Sequence, residues 1–342
     1  MKILITGGCG FIGSNLAIYL KKELRNSTIV TLDNLYRRGS DLNKNRLKKF
    51  KIQNHKIDIT DFRKISKLQK FDLVIDCCAE PAIEVSKKDM TRVLDTNLYG
   101  TFNILKKCLK DKSKIIFLSS SRVYSIKSLR KLIGKTKLKS RISSKFKINE
   151  KFDTSSPKSL YGFSKLSSEE LIKEFSFSNK IRFIINRLGV VSGPWQFGKQ
   201  DQGFVSLWVA HHKKGKNLSY IGFGGNGCQV RDIIHIDDVC EIILKQIKLI
   251  AKKNNDIFNI GGGLKNAISL KELTTKCEDL TNNKIYFKKI NITSNYDIPY
   301  FVTDNSKIQK FYNWKPKRTI NNIINDIYYW LDENNNIEKK YF

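Results

Sequence analysis

Ile3-Leu4-Ile5-Thr6-Gly7-Gly8-Cys9-Gly10-Phe11-Ile12-Gly13-Ser14 runs from an apolar strand through a glycine turn into the start of an amphipathic stretch. Gly7, Gly10 and Gly13 follow one another at intervals of three. Such a turn needs a residue that tolerates positive φ, a backbone with no Cβ between it and a bound pyrophosphate, and a helix packed tightly on the strand. A glycine turn alone is weak evidence, because glycine follows strands for reasons of chain geometry. Asp33 supplies the context. It closes the second apolar run, about 20 residues beyond the last glycine, where a carboxylate can accept a hydrogen bond from the ribose 2′-hydroxyl of a dinucleotide. The turn and the acid together predict an NAD site. Asp33 would repel the extra phosphate of NADP, while Arg37 and Arg38 close by leave that choice open.

Outward from this stretch, short apolar runs at 3–6, 28–32, 73–77, 114–119 and 182–187 alternate with helix-length segments, among them 14–23, 97–109 and 161–175. This alternation predicts an α/β fold, a Rossmann-like doubly wound parallel sheet. From 125 to 151 Lys, Arg and Ser dominate and apolar periodicity is weak, which reads as a long loop. Beyond Arg187 glycines and aromatics crowd together, the texture of a smaller C-terminal substrate-binding domain. The expected division is 1–186 with about 229–262 for the cofactor, and 187–228 with 263–342 for the substrate. One late helix should end near Trp330.

The 342 residues are 40% hydrophobic, and no apolar run approaches the roughly 20 residues of a membrane helix. Met1 leads at once into the first strand, so the fold is expected to start there, in the cytoplasm and away from membranes. Seven cysteines, an odd number without metal-ligand spacing, suggest free thiols and no metal site, and His211 and His212 lack partners at ligand spacing. A net charge of +31 would attract nucleic acid non-specifically. The lysines, however, are scattered along the whole chain beside abundant Ile and Asn. That reads as biased residue supply, with no specific nucleic-acid partner, and a basic cleft would equally suit a pyrophosphate-bearing substrate.

Tyr161-Gly-Phe-Ser-Lys165 follows Pro157 at an expected helix start, and the i, i+4 spacing puts phenol and ammonium on one face. A nearby cation would lower the tyrosine pKa toward the working pH, making Tyr161 a general base or acid. Alone, the pair reads as well as a solvated helix face. The run Ser119-Ser120-Ser121-Arg122-Val123-Tyr124 changes that reading, because hydroxyls at the carboxyl end of a parallel strand face the ligand crevice. One of them can bind a substrate hydroxyl and polarise the developing carbonyl. Hydride transfer at a carbinol carbon is the chemistry that results.

Together these motifs resemble the extended short-chain dehydrogenase/reductases, the nucleotide-sugar epimerases and dehydratases in particular, over nearly the whole chain. The resemblance implies Ser120, Tyr161 and Lys165 as catalytic residues, with Ser120 chosen because it stands four residues before the Tyr of Val123-Tyr124. It implies a cofactor site of Gly7, Gly10, Phe11, Ile12, Gly13, Asp33 and Asn34, the pair Asp58 and Ile59 at the adenine, Cys78 and Ala79 at a strand end, Asn97, and again Tyr161 and Lys165. For the nucleotide-sugar substrate it implies Asn186, Arg187, Gln202 and Arg231, with Arg231 on the pyrophosphate; the plain alternative for Arg231 is a salt bridge to Asp232. A homodimer is also implied.

Within the family, residues 195–204 and the segment from Gly225 to Asp238 look most like the CDP-paratose 2-epimerase branch. Ser125, Asp76 and Ser120 depart from that pattern. The runner-up is 4-epimerisation of a UDP-hexose or UDP-uronate, followed by a nucleotide-sugar reductase or a non-catalytic RNA-binding relative. The 4,6-dehydratases resembling this fold carry an Asp-Glu pair directly after the catalytic hydroxyl, where this chain has Ser121 and Arg122, so dehydration is not expected. The 125–151 stretch is either a cover for the nucleotide or a solvated loop.

Overall fold

A computed structural model describes residues 1–81, 88–133, 146–199, 202–251 and 255–342. It divides into two compact units, Met1–Val123 with Ser159–Arg187 and Val239–Phe258, and Tyr124–Lys158 with Leu188–Asp238 and Asn259–Phe342.

The first unit is built on one sheet. Numbered along the chain, its strands are β1 (Lys2–Thr6), β2 (Thr28–Asp33), β3 (Gln53–Lys56), β4 (Leu73–Asp76), β5 (Lys114–Ser120), β6 (Phe183–Leu188) and β10 (Asp256–Ile260), in the spatial order β10-β6-β5-β4-β1-β2-β3. β1 runs parallel to both β2 and β4, β2 to β3, and β4 to β5. β4 and the interior of β5 are buried on both faces, as near-continuous apolar runs such as Leu73-Val-Ile and Ile115-Ile-Phe-Leu require when helices cover both sides. Leu4, Val30, Val74, Ile115, Phe117 and Ile185 form the centre of this core. The strand order reverses between β1 and β4, and in such sheets ligands bind beyond the carboxyl ends at that point. β3, Gln-Asn-His-Lys, carries no apolar signal; it is an edge strand that pairs on one side with β2.

In the second unit β9 (Val230–His235) pairs with β7 (Val190–Ser192), β11 (Ala267–Ser269) and β13 (Tyr300–Phe301), and β8 (Leu218–Ile221) pairs with β12 (Phe287–Ile290). Tyr220 stacks on Phe287 with ring centroids 4.4 Å apart, in a cluster with Trp208, Ile323, Ile327 and Trp330. The late helix is Ile320–Glu333, started by a capping box between Thr319 and Asn322.

Three expectations need correcting. The 125–151 stretch is no uniform loop: its start forms the helix Ile126–Ile133, in which Ile126 and Leu129 stand three apart and Leu129 is buried. Residues 134–145 of that stretch lie outside the described residues. The whole segment from Tyr124 belongs to the second unit, because the Ser125 N–H donates to the Asp153 carbonyl (2.9 Å), Ile148 N–H to Val302 (2.8 Å), and the Tyr300 hydroxyl to Phe146 (2.9 Å). β9, expected with the cofactor domain, joins the second unit through its pairing with β7, β11 and β13, which makes that unit nearly as long as the first rather than smaller. Among the described residues no helix is long and apolar enough to cross a membrane.

Candidate active site at the carboxyl edge of the sheet

At the end of β1 the chain turns through Gly7 at φ +59°, and the Gly10 N–H donates back to the Gly7 carbonyl at 2.9 Å. At two of its glycines the turn leaves no room for a side chain. A Cβ on Gly8 would come 2.2 Å from Cβ of Thr31, and one on Gly13 2.3 Å from the Gly7 carbonyl oxygen. The helix Phe11–Glu23 opens at Gly10, and among the described residues no side chain caps it. The N–H groups of its first turn, Phe11, Ile12 and Gly13, thus have no intrahelical acceptor. A bare backbone cradle with free amides at the positive end of a helix dipole fits the pyrophosphate of a dinucleotide.

Asp33 ends β2 beside this turn, accepting the Cys9 N–H at 2.9 Å and the Leu35 N–H at 2.7 Å. Burial nevertheless pushes its carboxyl above the usual range, against the pull of those two N–H bonds and of Arg37. Asn34 donates to Asp58 at 2.7 Å, and Asp58 also accepts the Thr60 N–H and hydroxyl at 2.9 and 2.7 Å. Although burial opposes it, these hydrogen bonds hold Asp58 below the ordinary carboxylate value. Asn103 fixes the Ile59 carbonyl at 3.1 Å. Past β4, Cys78 N–H donates to the Thr6 hydroxyl at 3.2 Å, and Cα of Cys78 lies 3.0 Å from where a Cβ on Gly7 would sit, so Cys78 adjoins the glycine turn and Ala79 follows it in the chain.

The hydroxyl run at the end of β5 divides its work. Ser119 donates to Glu169 at 2.5 Å and is consumed there. Ser120 accepts the Arg122 N–H at 3.1 Å, and its hydroxyl lies near enough to the Tyr161 phenol to favour the phenolate. The structure thus brings Ser120 and Tyr161 together. Tyr161 lies in the first turn of the helix Leu160–Asn179, whose start is capped by the Ser159 hydroxyl accepting the Gly162 N–H at 3.1 Å. Lys165, one turn on, is buried with Nζ 4.0 Å from the centre of the Phe117 ring. Burial lowers the Lys165 pKa, opposed first by the Asp76 carboxylate.

The expected lowering of the tyrosine pKa is reversed. Burial pushes the Tyr161 phenol above its ordinary value, and the Ser120 hydroxyl, Arg122 and Arg37 recover only part of that. Desolvation of a phenolate outweighs these interactions.

Asn97 lies in a π-turn, Asp95–Tyr99, and is fully buried. It accepts the Glu80 N–H at 2.7 Å and donates to the Glu80 carbonyl at 3.1 Å and to the Ser164 hydroxyl at 3.0 Å, tying the end of β4 to the Tyr161 helix.

Two substrate expectations fail. Asn186 is fully buried, exchanging both amide hydrogen bonds with Gln246 at 2.8 Å. Arg187 is buried in a bidentate pair with Glu169, 2.7 Å at its shortest. Both side chains brace the sheet and helix. Gln202 and Arg231 belong to the second unit. Gln202 forms a main-chain bridge with Lys199, and the Arg231 guanidinium donates to the carbonyls of Val230 and Ile298, each at 2.7 Å. The alternative partner of Arg231, Asp232, is fully buried and accepts the Gly263 N–H at 2.9 Å.

Sequence reading gave no site role to Glu169, Asp76 or Glu80. Glu169 follows Tyr161 by eight residues, on the buried face that also carries Lys165, Ser168 and Ile172, so helical spacing could have found it. Asp76 is buried at the end of β4, accepting hydroxyls from Thr6 at 2.5 Å and Thr101 at 3.0 Å, and the sequence marked it only as a departure from the pattern of the branch.

Comparison with known proteins identifies the family. The chain is 29% identical to CDP-paratose 2-epimerase of Salmonella typhi, over 96% of this chain and 99% of that one. It is 30% identical to dTDP-D-glucose 4,6-dehydratase of Dictyostelium discoideum, over 76% of this chain and 58% of that one. Its structure matches that of UDP-glucuronic acid 4-epimerase from Bacillus cereus, solved with UDP-glucuronic acid and NAD, at a TM-score of 0.80 and 25% identity, covering 97% and 99% of the two chains. Residues 3–261 match the model of the NAD dependent epimerase/dehydratase family, and this chain belongs to that family, with NAD as its cofactor.

Proposed function

We propose that the protein epimerises a nucleotide-activated sugar through transient oxidation to a keto-sugar, acting most like a CDP-paratose 2-epimerase. The approach of the Ser120 hydroxyl, at the end of β5, to Tyr161 in the first turn of its helix, on the sheet whose β1 ends in the glycine cradle, carries the reading. The first unit would hold NAD between the Gly7–Gly13 turn, Asp33, Asn34, Asp58, Ile59, Cys78 and Ala79, with Asn97 bracing the site. The second would hold the nucleotide sugar, with Arg231 on its pyrophosphate, since guanidinium binds phosphate oxygens bidentately. Bound NAD supplies the hydride acceptor for the oxidation, the donor for the return step, and a positive nicotinamide ring.

In this reading the Ser120 hydroxyl holds the sugar hydroxyl, and Tyr161 takes its proton as the carbon is oxidised. Lys165 adds positive charge near the phenol and binds the nicotinamide ribose. The keto-sugar then turns in the pocket, and Tyr161 returns the proton to the carbonyl oxygen once the other face has been reduced. CDP-paratose as substrate is supported by the near full-length relative from Salmonella typhi, and UDP-glucuronate or UDP-glucose is the second reading, UDP-glucuronate being favoured by the Bacillus cereus fold match. Elimination of water is disfavoured even with a dehydratase among the relatives, because Ser121 and Arg122 follow Ser120 and supply no carboxylic acid and base. A cytoplasmic homodimer completes the proposal, and a role in lipopolysaccharide assembly follows only if the sugar is CDP-paratose.

The test incubates the protein with catalytic NAD and CDP-paratose, UDP-glucose or UDP-glucuronate in turn, following the anomeric protons by NMR. Conversion of CDP-paratose to its 2-epimer supports the narrow reading, and conversion of a UDP-sugar moves it to a 4-epimerase. No conversion of any sugar sinks the epimerase proposal for these substrates. A requirement for stoichiometric NADH would make it a reductase.

A further inference from the structure

β1 lies between β4 and β2 in the sheet. Neighbouring strands are about 4.8 Å apart, so a contact between the segments leaving β2 and β4 must pass over the carboxyl end of β1. That is where the glycine turn begins. Such a contact exists. Arg37, four residues past β2, places Nη1 3.1 Å from Oε1 of Glu80, four residues past β4. The Glu80 side chain is only 6% exposed and that of Arg37 37%, so the pair is largely shielded on its acidic side.

The acid is held from several directions. Asn97 grips the Glu80 main chain on both its N–H and its carbonyl. Arg92 approaches the second carboxylate oxygen, Oε2, at 3.4 Å, and its guanidinium lies 3.4 Å from the centre of the Tyr36 ring, next to Arg37 in sequence. The charge of Arg37 bears on both Asp33 and Tyr161, which puts it within electrostatic reach of residues assigned to the cofactor and to the proton transfer.

We propose that the Arg37–Glu80 ion pair is a clasp across the cofactor cleft that retains NAD between turnovers. The inference rests on NAD lying in the glycine cradle. An enzyme that regenerates its cofactor in every cycle gains from such retention, because cofactor lost in mid-cycle strands a keto-sugar. The clasp acts by closing the exit, and needs both partners; an Arg37 that gripped phosphate by itself would need only one.

The experiment loads the full-length protein with NADH, mixes it with excess NAD and follows the loss of bound NADH fluorescence, for the parent, Arg37→Gln, Glu80→Gln and the double variant. Thermal melts check folding, and Arg37→Gln, at the more exposed partner, carries the test if Glu80→Gln unfolds. Each single variant is expected to release NADH on the order of tenfold faster, and the double variant no faster than either, since a pair broken once cannot be broken again. Parental release rates in the singles, slower release in Glu80→Gln, or multiplied effects of about a hundredfold in the double would each overturn the clasp. A parent that binds no NADH overturns the cofactor site itself, an outcome distinct from all of these.

Discussion

Replacing Glu169 by Gln removes one charge from a buried pair and leaves its partner in place. Glu169 is 0% and Arg187 5% exposed, and the carboxylate accepts from Arg187 at 2.7 and 3.0 Å and from Ser119 at 2.5 Å. Removing one member of such a pair costs about 3–5 kcal/mol, mostly as the penalty of an uncompensated buried guanidinium. Replacing the whole group with apolar residues of similar volume should cost far less, so Ser119→Ala with Glu169→Leu and Arg187→Met should recover most of the loss. Urea melts followed by far-UV circular dichroism measure both. Tryptophan fluorescence is the wrong probe, because Trp195, Trp208, Trp314 and Trp330 all lie in the second unit while Glu169 lies in the first. A loss below about 1 kcal/mol in Glu169→Gln, or a triple variant less stable than the single, would refute the buried-charge reasoning. Because Ser119 adjoins Ser120, the single variant should also lower kcat more than it raises KM.

Gly13→Ala should abolish NAD retention on gel filtration, since its Cβ would fall 2.3 Å from the Gly7 carbonyl oxygen; retained NAD would mean the turn is not the cradle. Tyr161→Phe should lower kcat roughly 10²- to 10⁴-fold with NAD content unchanged, and comparable activity would remove Tyr161 from the proton transfer. With the Tyr161 pKa raised in the folded protein, the unfolded chain releases that proton first. Stability of the NAD-free protein should therefore fall as pH rises from the ordinary phenol value toward the folded one, and this loss should be absent from Tyr161→Phe in alkaline urea melts. Asp33, also raised, accepts two ribose hydroxyls well only when ionised. NAD affinity measured by titration calorimetry should thus weaken as pH falls toward the Asp33 value, and Asp33→Asn should lose both that dependence and much of the preference over NADP.

The parts of the site that were legible in the sequence are those whose physics is local. Gly7, Gly8 and Gly13 must be glycine because of atoms within a few residues or on the neighbouring strands, and the hydroxyl run is marked by its place at a strand end, the choice of Ser120 within it following from the family resemblance. Tyr161 and Lys165 share a helix turn, yet the sign of the tyrosine shift depends on burial, which spacing does not report. Asn186 and Arg187 were misread because their partners, Gln246 and Glu169, lie 60 and 18 residues away. Glu80 and Arg37 are 43 residues apart and meet only through the strand order. The helix Ile126–Ile133 was hidden by its basic composition, although Ile126 and Leu129 already stand at helical spacing.

The division of the chain has a consequence for its synthesis. The polypeptide passes from one unit to the other five times, and the main sheet receives its β10 strand from residues 256–260. A ribosome will have made most of the protein before that sheet can close, so the first unit cannot fold as an independent N-terminal piece during translation. Until then the outer edge of β6 stays open to any other strand, which makes the nascent chain a natural client for chaperones. A fragment ending at residue 187 would keep this open edge permanently, and should aggregate where the intact chain does not.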